Sequence, residues 1–208
     1  MFAPETGRFL VPVLVLLAFL TAVVALGYLP RTLEFLLLLA IGYGYWAFFA
    51  AFFRDPERAP GEGIVAPADG RVLAIDREGD RIRLAVFMNV TDVHVNRFPW
   101  AGRVESIETN GEGFRPAYAP DAHHNLQRHY TLSTSLGEME VVQMTGLIAR
   151  RLVSLVGVGA TRAKGDRLGM IVLGSRVDLL LPADAVEIAV RVGDRVRAGA
   201  TTVARVRR

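Results

Sequence analysis

Two long apolar stretches at the start of the chain limit what it can fold into more than any other feature. Phe9 to Leu29 carries no charge and is interrupted only by Pro12, Thr21 and Gly27. Leu33 to Phe53 is a second such run, with Glu34 as its one charge. Each approaches the ~20 residues a helix needs to cross the hydrocarbon core of a bilayer. A helix also satisfies its own backbone hydrogen bonds there. Pro30-Arg31-Thr32 joins the two runs, so residues 1–53 are expected to form a transmembrane or membrane-embedded helical hairpin. The first run is too long for a signal-peptide core and no small-residue cleavage site follows it, so its removal is not expected. Two core helices of a soluble protein are the competing reading, and the length disfavours it. Gly42 and Gly44 are candidates for close helix approach. Arg8 before the hairpin, with Arg54 and Arg58 after it, favours the cytoplasmic side of a cell membrane for residues 54–208. A hairpin dipping into one leaflet keeps that side unchanged.

The mean hydropathy of +0.31 is high for a soluble protein, and the excess sits in this first quarter. The charges within residues 1–53 cancel, leaving 22 basic and 19 acidic residues in the remainder. A mildly basic domain beside a membrane suits anionic lipid surfaces. No basic stripe interleaved with aromatics and no helix-turn-helix pattern is present, so nucleic acid is not an expected partner. The chain has no cysteine, which excludes disulfides, cysteine–zinc sites and cysteine nucleophiles.

Arg54 to Gly61 is a linker whose charges and prolines end the helical pattern. Beyond it the pattern is β. Ile64-Val65 and Val72 to Ile75 flank the turn Pro67-Ala68-Asp69-Gly70, and Arg81 to Met88, Glu138 to Met144 and Arg176 to Leu181 read as strands. Residues 54–208 are therefore expected to form a mainly β domain, a β-sandwich or barrel-sandwich-like body with few helices. Val65 to Val72 and Val192 to Gly199 resemble the opening and the final turn of lipoyl- and biotinyl-type domains. A non-enzymatic membrane-tethered module of that kind is one alternative. Lys164 is the only lysine and lies in no attachment motif, which argues against a swinging-arm carrier.

Gly169 to Pro182 reads as a strand, a Gly-Ser break and a second strand. A bulge or bend at Gly174 is sufficient to explain it. The chemical reading is self-cleavage between Gly174 and Ser175. The Ser175 hydroxyl can attack the carbonyl that precedes it through a small ring, giving an ester by N-to-O acyl shift. Elimination then leaves dehydroalanine, which hydrolyses to a pyruvoyl group and ammonia. Glycine before the serine minimises crowding at the attacked carbonyl. The reaction also needs a base for the hydroxyl and donors for the oxyanion.

Gly174-Ser175-Arg176-Val177-Asp178 followed by Leu179-Leu180-Leu181-Pro182 resembles the processing site of the short form of phosphatidylserine decarboxylase, with Leu173 where that form usually has Phe. Further blocks agree: Phe53-Arg54-Asp55-Pro56, Ala66 to Gly70, Asn89 to Arg97, and Gln143 to Arg151. Their order, together with the leading hairpin, extends the resemblance over nearly the whole chain. It implies cleavage into a β chain, residues 1–174, and an α chain, residues 175–208, that begins with the pyruvoyl group. That group would form a Schiff base with the amine of phosphatidylserine and accept electrons as CO2 departs, giving phosphatidylethanolamine. A related decarboxylase of an ether-linked lipid, archaetidylserine, is the other enzymatic alternative. The family also implies homo-oligomers.

His94 is the candidate acid/base, because histidine titrates near neutral pH. The resemblance implies that Asp69 assists self-cleavage, although Pro-Ala-Asp-Gly is also ordinary turn chemistry. The family's long form pairs this aspartate with a histidine at the position of Arg97, so a rearranged relay through Asp69, His94 and Ser175 is one route. Arg97, Asn96 and Arg150 are candidates for substrate binding, and a guanidinium suits phosphate or carboxylate. His123, His124 and His129 suggest metal, but the adjacent pair cannot easily share one tetrahedral ion, so a solvated loop is favoured and no metal is expected.

Overall fold

The computed structural model describes the chain except for residues 1, 4, 5, 30, 31, 148–150, 173, 174 and 208. The chain divides into two compact units, residues 1–56 and 57–208.

In the first unit, α1 (Gly7–Ala25) and α2 (Leu33–Phe52) form the expected hairpin. Both are long and apolar enough to cross a membrane. Large apolar side chains point outward: Phe9, Leu26 and Ile41 are all more than half exposed. The contacts between the helices are partly polar. Trp46 Nε1 donates to the Leu10 carbonyl at 2.9 Å, and Thr21 meets the Tyr43 hydroxyl at 3.0 Å. Of the two glycines expected to allow close approach, only Gly42 does so. A Cβ built there would lie 2.7 Å from Leu17 Cδ2, whereas one at Gly44 would meet nothing within 4 Å.

The second unit is mainly β, as the alternation predicts. Its strands are β1 (Ile64–Val65), β2 (Gly70–Glu78), β3 (Arg81–Met88), β4 (Val95–Arg97), β5 (Gly102–Asn110), β6 (Gln127–Thr134), β7 (Gly137–Thr145), β8 (Arg151–Ser154), β9 (Thr161–Arg162), β10 (Arg167–Val172), β11 (Ser175–Pro182), β12 (Val186–Ile188), β13 (Arg195–Val196) and β14 (Thr202–Val206). The main sheet runs β13-β2-β3-β11-β7-β6-β5-β9, and two three-stranded sheets run β4-β10-β8 and β1-β14-β12. Every described pairing between these strands is antiparallel.

Period-two alternation sets which face of the main sheet is buried. In β11, Val177, Leu179 and Leu181 are fully buried, as are Met139 and Val141 of β7 and Leu84 and Val86 of β3. They join Phe98, Ile171, Val186 and Val203 in one core. Each such side chain contributes roughly 1.5–3 kcal/mol of burial. The opposite face carries Arg176, Asp178, Arg83, Glu138 and Glu140, which pair with one another or with Arg81.

Two features bring distant parts of the sequence together. The turn before β2 ends on Gly70, which has φ +146°, and a Cβ there would lie 2.0 Å from the Phe87 carbonyl oxygen. Only glycine fits so close to β3. The second is the crossing between sheets: β10 ends at Val172 in a small sheet, and β11 begins at Ser175 in the centre of the main sheet.

Candidate active site

His94 precedes β4 and is 1% exposed. Its Nδ1 lies 2.9 Å from the Asp92 carbonyl oxygen. A carbonyl only accepts, so Nδ1 carries the proton, and in the neutral ring Nε2 holds the lone pair. A tight turn sets this geometry. The Asn89 amide donates to Asp92 Oδ2 at 2.9 Å, the Asp92 amide returns a bond to Asn89 O at 2.9 Å, and Arg195 Nη2 reaches Asp92 Oδ1 at 3.2 Å. The His94 carbonyl accepts from Ile171 N–H at 3.2 Å. Ile171 is four residues before Ser175, so the chain itself keeps Ser175 within about 14 Å of that point.

Ser175 opens β11 opposite Met88 on one side and Thr145 on the other. Immediately after it, Arg176 and Asp178 lie on one face and form a bidentate pair, Nε–Oδ1 and Nη2–Oδ2 both 2.6 Å. Arg83 Nη1 reaches the same carboxylate at 3.4 Å. This clamp is what Arg-Val-Asp contributes structurally, holding the strand that starts at Ser175. Gly174 and Arg150, both expected at the site, lie outside the described residues.

Beside Met88 and Thr145 lies a cavity of about 160 Å³. Phe87, Met88, Val90, Pro116, Ala117, Tyr118 and Leu147 give it an apolar lining, with Asn89 and Gly146 also at its wall. Tyr118 caps Phe87 edge-on at 5.9 Å. Tyr118 and Leu147 are 66% and 64% exposed at its mouth. Asn125 ties the covering loop to β7. It exchanges two 2.8 Å bonds with the Arg115 backbone and donates a third, also 2.8 Å, to the Thr145 carbonyl.

Asn96 and Arg97 occupy positions that their sequence context does not suggest. Asn96 is fully buried, taking a 2.7 Å bond from Gln143 Nε2 and directing its own amide at Met88 Sδ, 3.7 Å away. Tyr130 donates to Gln143 Oε1 at 3.1 Å, completing a buried chain of polar groups. Burial pushes the Tyr130 hydroxyl above its ordinary pKa, so it stays a neutral donor. Asn96 thus engages its side chain inside the protein. Arg97 is 5% exposed and donates to the Gly165 carbonyl at 3.0 Å.

Asp69 is engaged by groups that sequence reasoning missed. Arg58 Nη1 meets Oδ1, Arg58 Nη2 lies 2.9 Å from Oδ2, and the Ala198 amide donates to Oδ1 at 2.8 Å. Nothing in the linker's pattern marks Arg58 as this partner, because ion pairs between distant segments leave no periodic trace. Of the histidines, His129 bridges Glu140 at 2.6 Å and Gln127 at 3.1 Å. The His123 and His124 rings lie with centres 4.0 Å apart, tilted 45° to one another. Among the described residues, no three His, Asp or Glu side chains converge on a point where a metal could sit.

Comparison with known proteins gives this geometry its context. A model of the phosphatidylserine decarboxylase family matches residues 45–204. The chain belongs to that family. Its relatives include the phosphatidylserine decarboxylase proenzyme of Thermobifida fusca, 46% identical over 75% of this chain and 72% of the relative. The proenzyme of the same name from Desulfotalea psychrophila is 40% identical over 94% of each chain. A putative archaetidylserine decarboxylase proenzyme of Halobacterium salinarum is 45% identical over 79% of this chain and 84% of that protein.

Proposed function

We propose that the protein is a pyruvoyl-dependent phosphatidylserine decarboxylase that cuts itself between Gly174 and Ser175 and works on a membrane. The observation that carries this is the position of Ser175 in a chain of this family: the first residue of a central strand, directly after a crossing between sheets. The site fits a pyruvoyl group. Ser175 has strands on both sides, its partner Met88 lines an apolar cavity, and His94 is held in one tautomer by the chain that packs on β10. When present, the group supplies an electron sink for the departing carboxyl carbon.

The chain's own residues do the rest. In maturation, Ser175 Oγ attacks the Gly174 carbonyl carbon, the C–N bond breaks and the amine takes the proton. Loss of the Ser175 α-proton expels the Gly174 carboxylate, and water then displaces ammonia. In turnover, His94 Nε2 first takes up a proton from water, and the imidazolium, its Nδ1–H kept on the Asp92 carbonyl, then delivers that proton to the substrate carbon that has lost CO2. Arg97 and Arg150 are the residues whose guanidinium groups suit the phosphate or carboxylate of the head group, and Asn96 serves substrate binding through its buried bonds to Gln143 and Met88. The apolar cavity takes the part of the lipid next to the head group. The hairpin of residues 1–53 tethers the domain, with residues 54–208 on the cytoplasmic side.

Intact-mass measurement of the full chain in membranes or detergent, with CO2 release from serine-labelled phosphatidylserine, tests the proposal. The expected result is two fragments split at 174/175, with Ser175→Ala remaining whole and inactive. A wild-type chain that stays whole while releasing CO2 would sink it. The Halobacterium relative favours a second reading, an ether-linked archaetidylserine substrate, and competition between the two lipids in the same assay decides between them.

A further inference from the structure

The ion pair at Asp69 does something neither the strand pattern nor the proposed chemistry requires. Arg58 and Asp69 side chains are only 13% and 11% exposed. Between them they hold both peptide groups of one residue: Arg58 Nη1 donates to the Ala198 carbonyl at 2.9 Å, and the Ala198 amide donates to Asp69 Oδ1 at 2.8 Å. Neighbouring backbone bonds continue the seam. Gly199 N–H donates to Ala66 O at 2.9 Å, Ala66 N–H to Thr201 O at 2.9 Å, and Gly61 N–H to Gly199 O at 3.1 Å. Arg97 N–H donates to Pro67 O at 2.9 Å, fixing the turn that presents Asp69. Asp69 Oδ1 thus accepts two donors and Oδ2 a third.

If the chain is cut at 174/175, a point resting on the proposed function, Arg58 and Asp69 belong to one fragment and Ala198 to the other. We propose that Arg58 is a positioning residue. Its pair with Asp69 is a clamp that holds the 197–199 turn of the later fragment onto the earlier one, and Asp69 serves maturation through this clamp rather than by taking the Ser175 proton. Three N–H donors occupy three of the roughly four acceptor positions of the Asp69 carboxylate and hold it in place against the 197–199 turn. A buried charge that loses its partner costs more than a pair replaced by two neutral groups.

That asymmetry gives the test. Arg58→Met, Asp69→Asn and the double variant are made in the full chain. Maturation is followed by intact mass, and retention of residues 175–208 by a urea titration of the cut protein. Each single variant is expected to slow maturation about tenfold and release the later fragment at lower urea, and the double variant to recover most of both. Arg58→Lys, which keeps the charge but loses the fork, should fall between wild type and Arg58→Met. An Asp69→Asn chain that stays whole, together with an equally uncut double variant, would overturn the proposal and make Asp69 the proton acceptor. Additive losses in the double variant would also overturn it. If wild type itself is never cut, the cleavage reading has failed. The clamp is then judged alone from the urea midpoints of the uncut variants, where additivity refutes it and recovery supports it.

Discussion

Gln143 stands between two buried polar groups. It accepts from Tyr130 and donates to Asn96, and Gly169 leaves the space for it, since a Cβ there would lie 2.8 Å from Gln143 Nε2. Gln143→Leu should lower stability by about 1–3 kcal/mol, because it takes the donor from the buried Asn96 carbonyl and one acceptor from the Tyr130 hydroxyl. The check is a urea midpoint, and an unchanged midpoint would mean the network carries no weight. At His94, His94→Ala is expected to be cut at 174/175 but to lose turnover by about 10²-fold or more. A chain that is not cut at all would move His94 from decarboxylation to maturation. Sequence reasoning at this scale saw residue types but not their burial. Arg97 and Asn96 read as polar candidates for substrate binding, with nothing in their pattern to show that both are buried. The enclosing contacts come from Gly165 and Gln143, which are far away in sequence.

Among the elements, β6 and β7 meet on the outer face through His129 and Glu140. The hydrogen bond from His129, helped by the charges of His129 and Arg81 and opposed by burial, holds the Glu140 carboxyl below its ordinary pKa. A depressed carboxyl stabilises the fold fully above its unfolded-state pKa, and that stabilisation is lost as pH falls through the folded-state value. Glu140→Gln should therefore lower the urea midpoint at neutral pH, with the difference from wild type closing in acid. A gap that persists in acid would assign the effect to packing. The loop pinned by Asn125 makes a second case. Asn125→Ala removes three hydrogen bonds and should cost about 2–4 kcal/mol, read from the thermal midpoint. The hairpin and the longer strands were legible from apolar length and from alternation. Of the sheet β4-β10-β8, only β10 was, as the strand before the Gly-Ser break; β4 and β8 were not, because strands of three and four residues carry too few periods to register. That sheet sets the position of His94, so the part of the fold nearest the chemistry was the least readable.

At the level of the whole molecule, β11 lies between β3 and β7, with residues paired along both edges. Residues after 182 add β12 and β14 to a second sheet and β13 to the end of the first. Residues 175–208 should therefore stay with the rest of the cut protein until it unfolds as a whole. Size-exclusion chromatography across a urea series checks this: loss of the later fragment before the main unfolding transition would contradict it. The same central strand makes the order of events irreversible. An interior strand has no open edge through which it could be added later, so under the proposed cut the two fragments would be products of a single folding event rather than partners that find each other. A chain translated separately from residue 175 would begin with an ordinary amine, because the proposed keto group arises only from a peptide bond broken in place. Two genes encoding the two halves could yield at most a shape without the reactive carbonyl, and the enzyme has to be inherited as one uninterrupted reading frame.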